Sequence, residues 1–295
     1  MKHYKSITEM RRDNGLGSPE HPSICLHRCT STCPMGEGEF TTDFYIIGFK
    51  KLHKGQFLYG RTKYDHDNGS MSFIKPGQLV ELRNIEVEED GFFIFIHEDY
   101  LNGHSLREEI GRYGFFDYEA NEALHLSPRE EGFIWNLYNL IDVEYQNNPD
   151  EYSRNIMLTH VDSILKYAQR FYKRQFVNRI DLSGKVISKF EHLLNDWFGE
   201  DYSGNKKLPT VAAMASRLNL SSRYLSDLLK QETGKSAIEL IHLYLIREAK
   251  DRLKSREQNI SEIAFELGFD SLSYFSRLFK KETGYSPNQF KKIVN

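Results

Sequence analysis

A chain of 295 residues is long for one compact domain, and its 39% hydrophobic and 13% aromatic content is enough to bury more than one core, which excludes wholesale disorder. No run approaches eighteen uncharged apolar residues, so the sequence predicts no membrane span. The net charge of −3 conceals a split, with 23 Lys+Arg against 32 Asp+Glu in residues 1–204 but 16 against 10 in residues 205–295. The basic C-terminal third therefore suits a polyanionic partner that the acidic remainder does not.

The chain starts with MKHYKSITEMRRDNG, which is basic but has no apolar segment behind it. That pattern does not make a secretory signal, and a cytoplasmic protein is expected. Residues 20–127 carry short apolar or alternating runs, among them 40–52, 56–64, 70–74, 78–82 and 91–97. Turn signals separate them at His53-Lys54-Gly55, Asp67-Asn68-Gly69 and Lys75-Pro76-Gly77. This spacing predicts a sheet-rich sandwich or barrel.

Strand residues Tyr45, Tyr59, Arg61 and Tyr64 are candidates for lining an effector pocket, although alternation sends half of them outward. A catalytic metal needs closely spaced histidines, and the region has no His-x-His; only His97 with Glu98 and Asp99 hints at a cluster. His66, beside Asp65 and Asp67, reads as a surface turn. No cofactor and no enzymatic activity are expected. All three cysteines fall in ICLHRCTSTC as Cys25, Cys29 and Cys33, with His27 between them. Positions 25, 27 and 29 of a strand share a face and read as buried packing, while metal or redox sensing by the cluster is the alternative.

From Ser127-Pro128 the periodicity turns helical. One helix over 129–146 stops at Asn147-Asn148-Pro149, a second over 150–176 places Ile156, Val161, Ile164, Leu165, Ala168, Phe171 and Tyr172 on one face, and a third covers 185–198. Residues 199–207, GEDYSGNKK, read as a linker.

The last third repeats itself. TVAAMASRLNLSSRYLSDLLKQETG (210–234) is echoed by NISEIAFELGFDSLSYFSRLFKKETG (259–284). Each copy has an apolar-periodic helix, a break at Asn219-Leu220-Ser221 or Gly268-Phe269-Asp270, and a second helix ended by Gly234 or Gly284. Helix, tight turn, helix is a DNA-binding pattern whose second helix can enter the major groove. The face opposite Leu225/Leu228 and Phe275/Leu278 selects Ser222, Arg223, Ser226 and Asp227 in one copy, and Leu272, Ser273, Ser276 and Arg277 in the other. Arg223 and Arg277 suit bidentate contact with guanine, while Lys230, Lys280 and Lys281 suit phosphates. Residues 237–254 make a strut of roughly 27 Å between the copies. A helical module that binds protein is the other reading of the repeat.

Two such units joined by a helix and closed by GYSPNQFKK (284–292) resemble the DNA-binding module of the AraC/XylS family of bacterial transcription regulators. The resemblance covers about 208–292 and rests on ISEIAFELGF, SYFSRLFKKETG and Gly284-x-x-Pro287-x-x-Phe290. It implies base-facing roles for Arg223, Asp227, Ser273 and Arg277. The family often carries a basic residue where this chain has Asp227, and an aspartate accepts from cytosine N4 instead. The stretch DNGSMSFIKPGQLVEL resembles the cupin-like effector barrel of the same family. The Ada-like repair regulators of the wider family need four cysteines with a Cys-x-x-Cys, which this chain lacks.

The resemblance thus implies an α+β multidomain protein. A cupin-like β-barrel sensor would occupy 1–127, helices for dimerisation and coupling 128–204, and an all-α double helix-turn-helix 205–295. It further implies promoter DNA and RNA polymerase as partners, a small-molecule effector, a homodimer and an activating role.

Overall fold

The structure is a computed structural model describing residues 2–29, 38–50, 52–57, 69–87, 91–118, 122–178, 180–199, 207–254 and 259–294. The chain divides into two compact units, Met1–Asn178 and Arg179–Asn295.

The first unit runs β1 (Lys2–Tyr4), α1 (Ile7–Asp13), β2 (Ile24–Cys29), β3 (Gly38–Thr42), β4 (Phe44–Lys50), β5 (Leu52–Phe57), β6 (Ser70–Ile74), β7 (Val80–Val87) and β8 (Gly91–His97). A short helix α2 (Leu106–Glu109), a two-residue strand β9 (Leu124–His125) and two long helices, α3 (Pro128–Gln146) and α4 (Ser153–Asn178), complete it. One sheet has the strand order β1-β3-β7-β5 and the other β2-β8-β4-β6-β9. A shared core of Cys25, Cys29, Phe40, Phe44, Ile46, Ile74, Val80, Phe93 and Phe95 draws on both sheets.

The described strands form two open sheets, and no ladder among them joins the sheets into a barrel. The reason lies at two corners. The apolar run 40–52 reads as one strand, but the chain breaks it at Asp43, whose N–H donates to the Tyr4 carbonyl at 3.1 Å. β3 then enters the small sheet and β4 the large one, and the chain returns to the small sheet with β5.

Every residue of β4 is buried, because both faces of the large sheet are covered. Phe44 and Ile46 face the other sheet, whereas Tyr45, Phe49, Phe73 and Phe92 face the helical side. There Phe92 stacks on Tyr138 of α3 with ring centroids 4.1 Å apart, and Phe73 meets Phe115 at 4.5 Å. A strand covered twice shows a continuous apolar run rather than alternation. Gly48 is required for closeness: a Cβ there would lie 2.7 Å from the Phe93 ring. At the end of β4, Lys50 is fully enclosed, and desolvation holds its amine well below the usual lysine range.

α3 begins as its sequence demands. The Ser127 hydroxyl accepts from the Glu130 N–H, and Glu130 reaches back to the Ser127 N–H at 2.8 Å, a capping box ahead of Pro128. On α4, Val161, Ile164, Leu165, Ala168, Phe171 and Tyr172 are buried as the spacing predicts, but Ile156 is exposed.

The second unit holds α5 (Ile180–Gly199), α6 (Val211–Leu218), α7 (Ser222–Thr233), α8 (Ala237–Lys254), α9 (Ile260–Glu266), α10 (Leu272–Thr283) and α11 (Pro287–Val294). One core joins Phe190 and Leu194 of α5 to Met214, Leu225, Leu229, Ile241, Leu245, Ile263, Phe275 and Phe279. The sequence grouped α5 with the two preceding helices, yet its apolar stripe packs against the duplicated helices. Trp197 of α5 donates through Nε1 to the Lys207 carbonyl at 3.0 Å, and the Arg217 guanidinium lies 4.8 Å over its ring.

Candidate nucleic-acid interface

Each repeat builds its second helix with the same parts. Asn219 ends α6 in the left-handed region, with φ 56° and ψ 43°. The Ser221 hydroxyl then accepts from the Tyr224 N–H at 3.1 Å and starts α7. In the second copy Gly268 takes the left-handed turn at φ 86°, and Ser271 caps α10 by accepting from the Tyr274 N–H at 3.4 Å. The two caps stand fifty residues apart, as the closing glycines do, and the turn from Gly268 to Ser271 is one residue longer than the turn from Asn219 to Ser221. Gly234 and Gly284 close α7 and α10 at φ 74° and 81°.

The buried stripes are Tyr224, Leu225, Leu228 and Leu229 on α7, and Phe275, Leu278 and Phe279 on α10. They fix which side chains point outward. Ser222, Arg223 and Lys230 are exposed on α7, with Ser226 and Asp227 half-buried beside them. On α10, Leu272, Ser273, Arg277, Lys280 and Lys281 are exposed and Ser276 is half-buried. All eleven residues chosen from the spacing therefore lie off the core on the two helices expected to carry them.

The two faces differ in chemistry. Arg223 Nε donates to Asp227 Oδ2 at 3.0 Å across one helical turn. Arg277 and Lys280 make no ion pair among the described residues, while Lys281 lies 3.9 Å from Glu282. Sequence reasoning missed Tyr274, which is 39% exposed between Ser273 and Phe275. Its hydroxyl is 3.4 Å from Nε2 of His242 on α8. Burial lowers the His242 pKa, keeping the ring neutral at pH 7 and able to hydrogen-bond that hydroxyl. The counterpart Tyr224 is 2% exposed, so the repeat pattern alone gave no signal that Tyr274 faces out.

α8 carries the second unit through a half-buried ion pair, Arg252 Nη1 to Glu266 Oε2 at 3.0 Å. Beyond α10, Phe290 of α11 packs on Phe279 with centroids 5.5 Å apart, which accounts for the closing GYSPNQF segment.

Elsewhere, Tyr45 is buried with its ring 5.3 Å from Phe116 and faces away from the space between the sheets. Tyr59, Arg61, Tyr64 and His66 lie outside the described residues. Cys25 and Cys29 are buried, Cys33 lies outside the described residues, and His27 is half-buried. Burial pushes the Cys25 thiol up in pKa even though Arg11 Nη1 donates to its sulfur at 3.2 Å. His97 caps a 3-10 turn by accepting from the Asp99 N–H at 3.3 Å. Among the described residues no cluster has the makings of a metal site, and no helix is long and apolar enough to cross a membrane.

Residues 214–293 match the family described as "Helix-turn-helix domain". A Bacillus subtilis protein named as an uncharacterized HTH-type transcriptional regulator, YfiF, is 27% identical over 262 residues, which is 85% of this chain and 77% of that one. The arabinose operon regulatory protein of Escherichia coli K12 is 37% identical over 81 residues, 28% of each chain. The transcriptional activator RhaS of Escherichia coli SMS-3-5 is 24% identical over 149 residues, 50% of this chain and 49% of its own. Among solved structures, the C-terminal domain of AraT, a response regulator from Geobacillus stearothermophilus, is 34% identical, covers 37% of this chain and 84% of that domain, and gives a TM-score of 0.32. The relatives are transcription regulators, not enzymes. The C-terminal unit of this chain carries a helix-turn-helix domain.

Proposed function

We propose that the chain regulates transcription by binding promoter DNA in the cytoplasm, with α7 and α10 as its two reading helices. The observation that carries this reading is the pair of outward faces on those helices. Each presents an arginine and a lysine on a helix whose opposite side is locked into one common core. A core shared across α8 keeps the two helices at fixed separation, and successive major grooves on one side of a duplex recur every ~34 Å. A helical module that binds protein has no need of such a pair of basic faces.

The rest of the chain supports the finer parts of the proposal. α3 and α4 form an antiparallel pair whose outer side leaves Phe133, Leu140 and Ile156 exposed, which supports pairing with a second copy. The sandwich of the first unit is the candidate sensor for a small-molecule effector. Activation through contact with RNA polymerase accords with the activator named among the relatives.

Selection of bound sites from a random duplex library tests the reading. The full chain is expected to enrich two half-motifs about one helical turn apart. Arg277→Ala should cost about 1–3 kcal/mol at one base pair of one half-motif. Loss spread evenly over all sequences would remove Arg277 from base reading, and no enriched motif would remove DNA reading altogether.

A further inference from the structure

Arg223 does not stand alone on the outer face of α7. Its Nε is bonded to Asp227, and its two terminal nitrogens make no bond to any described residue. Those terminal nitrogens form the edge that can meet guanine O6 and N7 side by side. A carboxylate on Nε holds this edge pointed away from the helix and reduces the rotamer freedom that an unsupported arginine loses on binding. The same bond draws Asp227 Oδ2 onto the arginine and so away from a cytosine amine.

The second unit is built otherwise. Aligned on Gly234 and Gly284, Ser273 stands where the first copy has Arg223, and Arg277 stands where it has Asp227. Arg277 therefore sits one turn further along its helix and has no carboxylate partner among the described residues.

We propose that Asp227 is a positioning residue that presents Arg223 to guanine, so that the first unit reads a G·C pair through Arg223 and not a cytosine through Asp227. This rests on the reading of the chain as a DNA-binding regulator. In water an exposed i,i+4 pair contributes little to stability. Against a duplex, with water excluded, the same pair is stronger, so Asp227 acts on specificity rather than on folding.

The test uses the full chain in parallel selections with Arg223→Ala, Asp227→Ala, Asp227→Asn, the double alanine variant and Arg277→Ala, with thermal melts alongside. The wild type is expected to prefer guanine at one base pair by roughly 5- to 150-fold, the range for a bidentate contact. Arg223→Ala should erase that preference, and Asp227→Ala should weaken it at the same base pair without moving the melting midpoint. The double variant should be no worse than Arg223→Ala, and Asp227→Asn, which keeps an acceptor, should retain part of the preference. The proposal is overturned if Asp227→Ala alters a different base pair, adds to the Arg223→Ala loss, or leaves the preference intact. It also fails by itself if Arg277→Ala erases one half-motif while Arg223→Ala erases none. If the wild type enriches nothing, the regulator reading falls and the proposal falls with it.

Discussion

Lys50 shows what one enclosed charge does to a protein of this size. Desolvation depresses its amine, and the buried Cys29 thiol opposes that shift only in part. The unfolded chain therefore holds a proton that the folded chain releases over the range between the depressed value and about 10.5. Stability contributed by this site rises with pH across that range and is lost as pH falls through it. Lys50→Met is expected to raise the denaturant midpoint at pH 7 and to flatten the pH dependence between pH 7 and 9. Equal slopes in both proteins would mean that the amine is solvated. Buried and half-buried tyrosines act in the opposite sense at higher pH. Desolvation holds Tyr100, Tyr113 and Tyr145 up to about 12, so their contribution is present below 10 and lost above it, outside the range of the comparison.

At the scale of elements, legibility followed how local the determinant is. The capping box at Ser127 and Glu130, the left-handed Asn219 and the glycine ends of α7 and α10 are written within a few residues, and the structure has them where the pattern puts them. The stripe that turned Arg223 and Arg277 outward was likewise readable, because 3.6-residue periodicity is set by adjacent turns. What was not readable depends on contacts between distant segments. Nothing around Asp43 says that β3 and β4 belong to different sheets; Tyr4 decides that, by accepting the Asp43 N–H. Nothing inside 180–199 says that its apolar stripe meets α6 and α7 rather than α4. Tyr274 was missed because its environment is set by His242, 32 residues earlier. The Asn219 turn offers a direct check. Asn219→Val should cost about 1–2 kcal/mol, since a β-branched side chain resists the left-handed region, whereas Asn219→Gly should cost little. Chemical denaturation of both variants measures the difference, and equal midpoints would mean that the turn relaxes.

For the whole molecule, the charge split visible in the sequence persists between the compact units, with 20 Lys+Arg against 27 Asp+Glu in residues 1–178 and 19 against 15 in residues 179–295. DNA affinity should fall steeply with salt. Replacing Lys230, Lys280 or Lys281 by Ala should reduce the slope of log affinity against log salt by about 0.9 for each phosphate that the variant no longer neutralises. An unchanged slope would move that lysine off the backbone. Pairing should depend on the other unit. Leu140, 51% exposed on α3, is expected to report it, with Leu140→Glu shifting sedimentation to the monomer at unchanged helicity. A wild type that sediments as a monomer at micromolar concentration would leave that face unpartnered.

The repeat that first marks the sequence ends as a pair of unequal halves. Its scaffold is kept from copy to copy, down to the closing Glu-Thr-Gly, but the outward letters Ser222, Arg223 and Asp227 are replaced by Leu272, Ser273 and Arg277. If these letters read DNA as proposed, such a chain has a head and a tail with respect to the sequence it grips. Turned end for end on the same duplex, it would set each arginine against the wrong step. A single copy thus carries polarity, and a stretch of DNA that suits it also tells it which way to point.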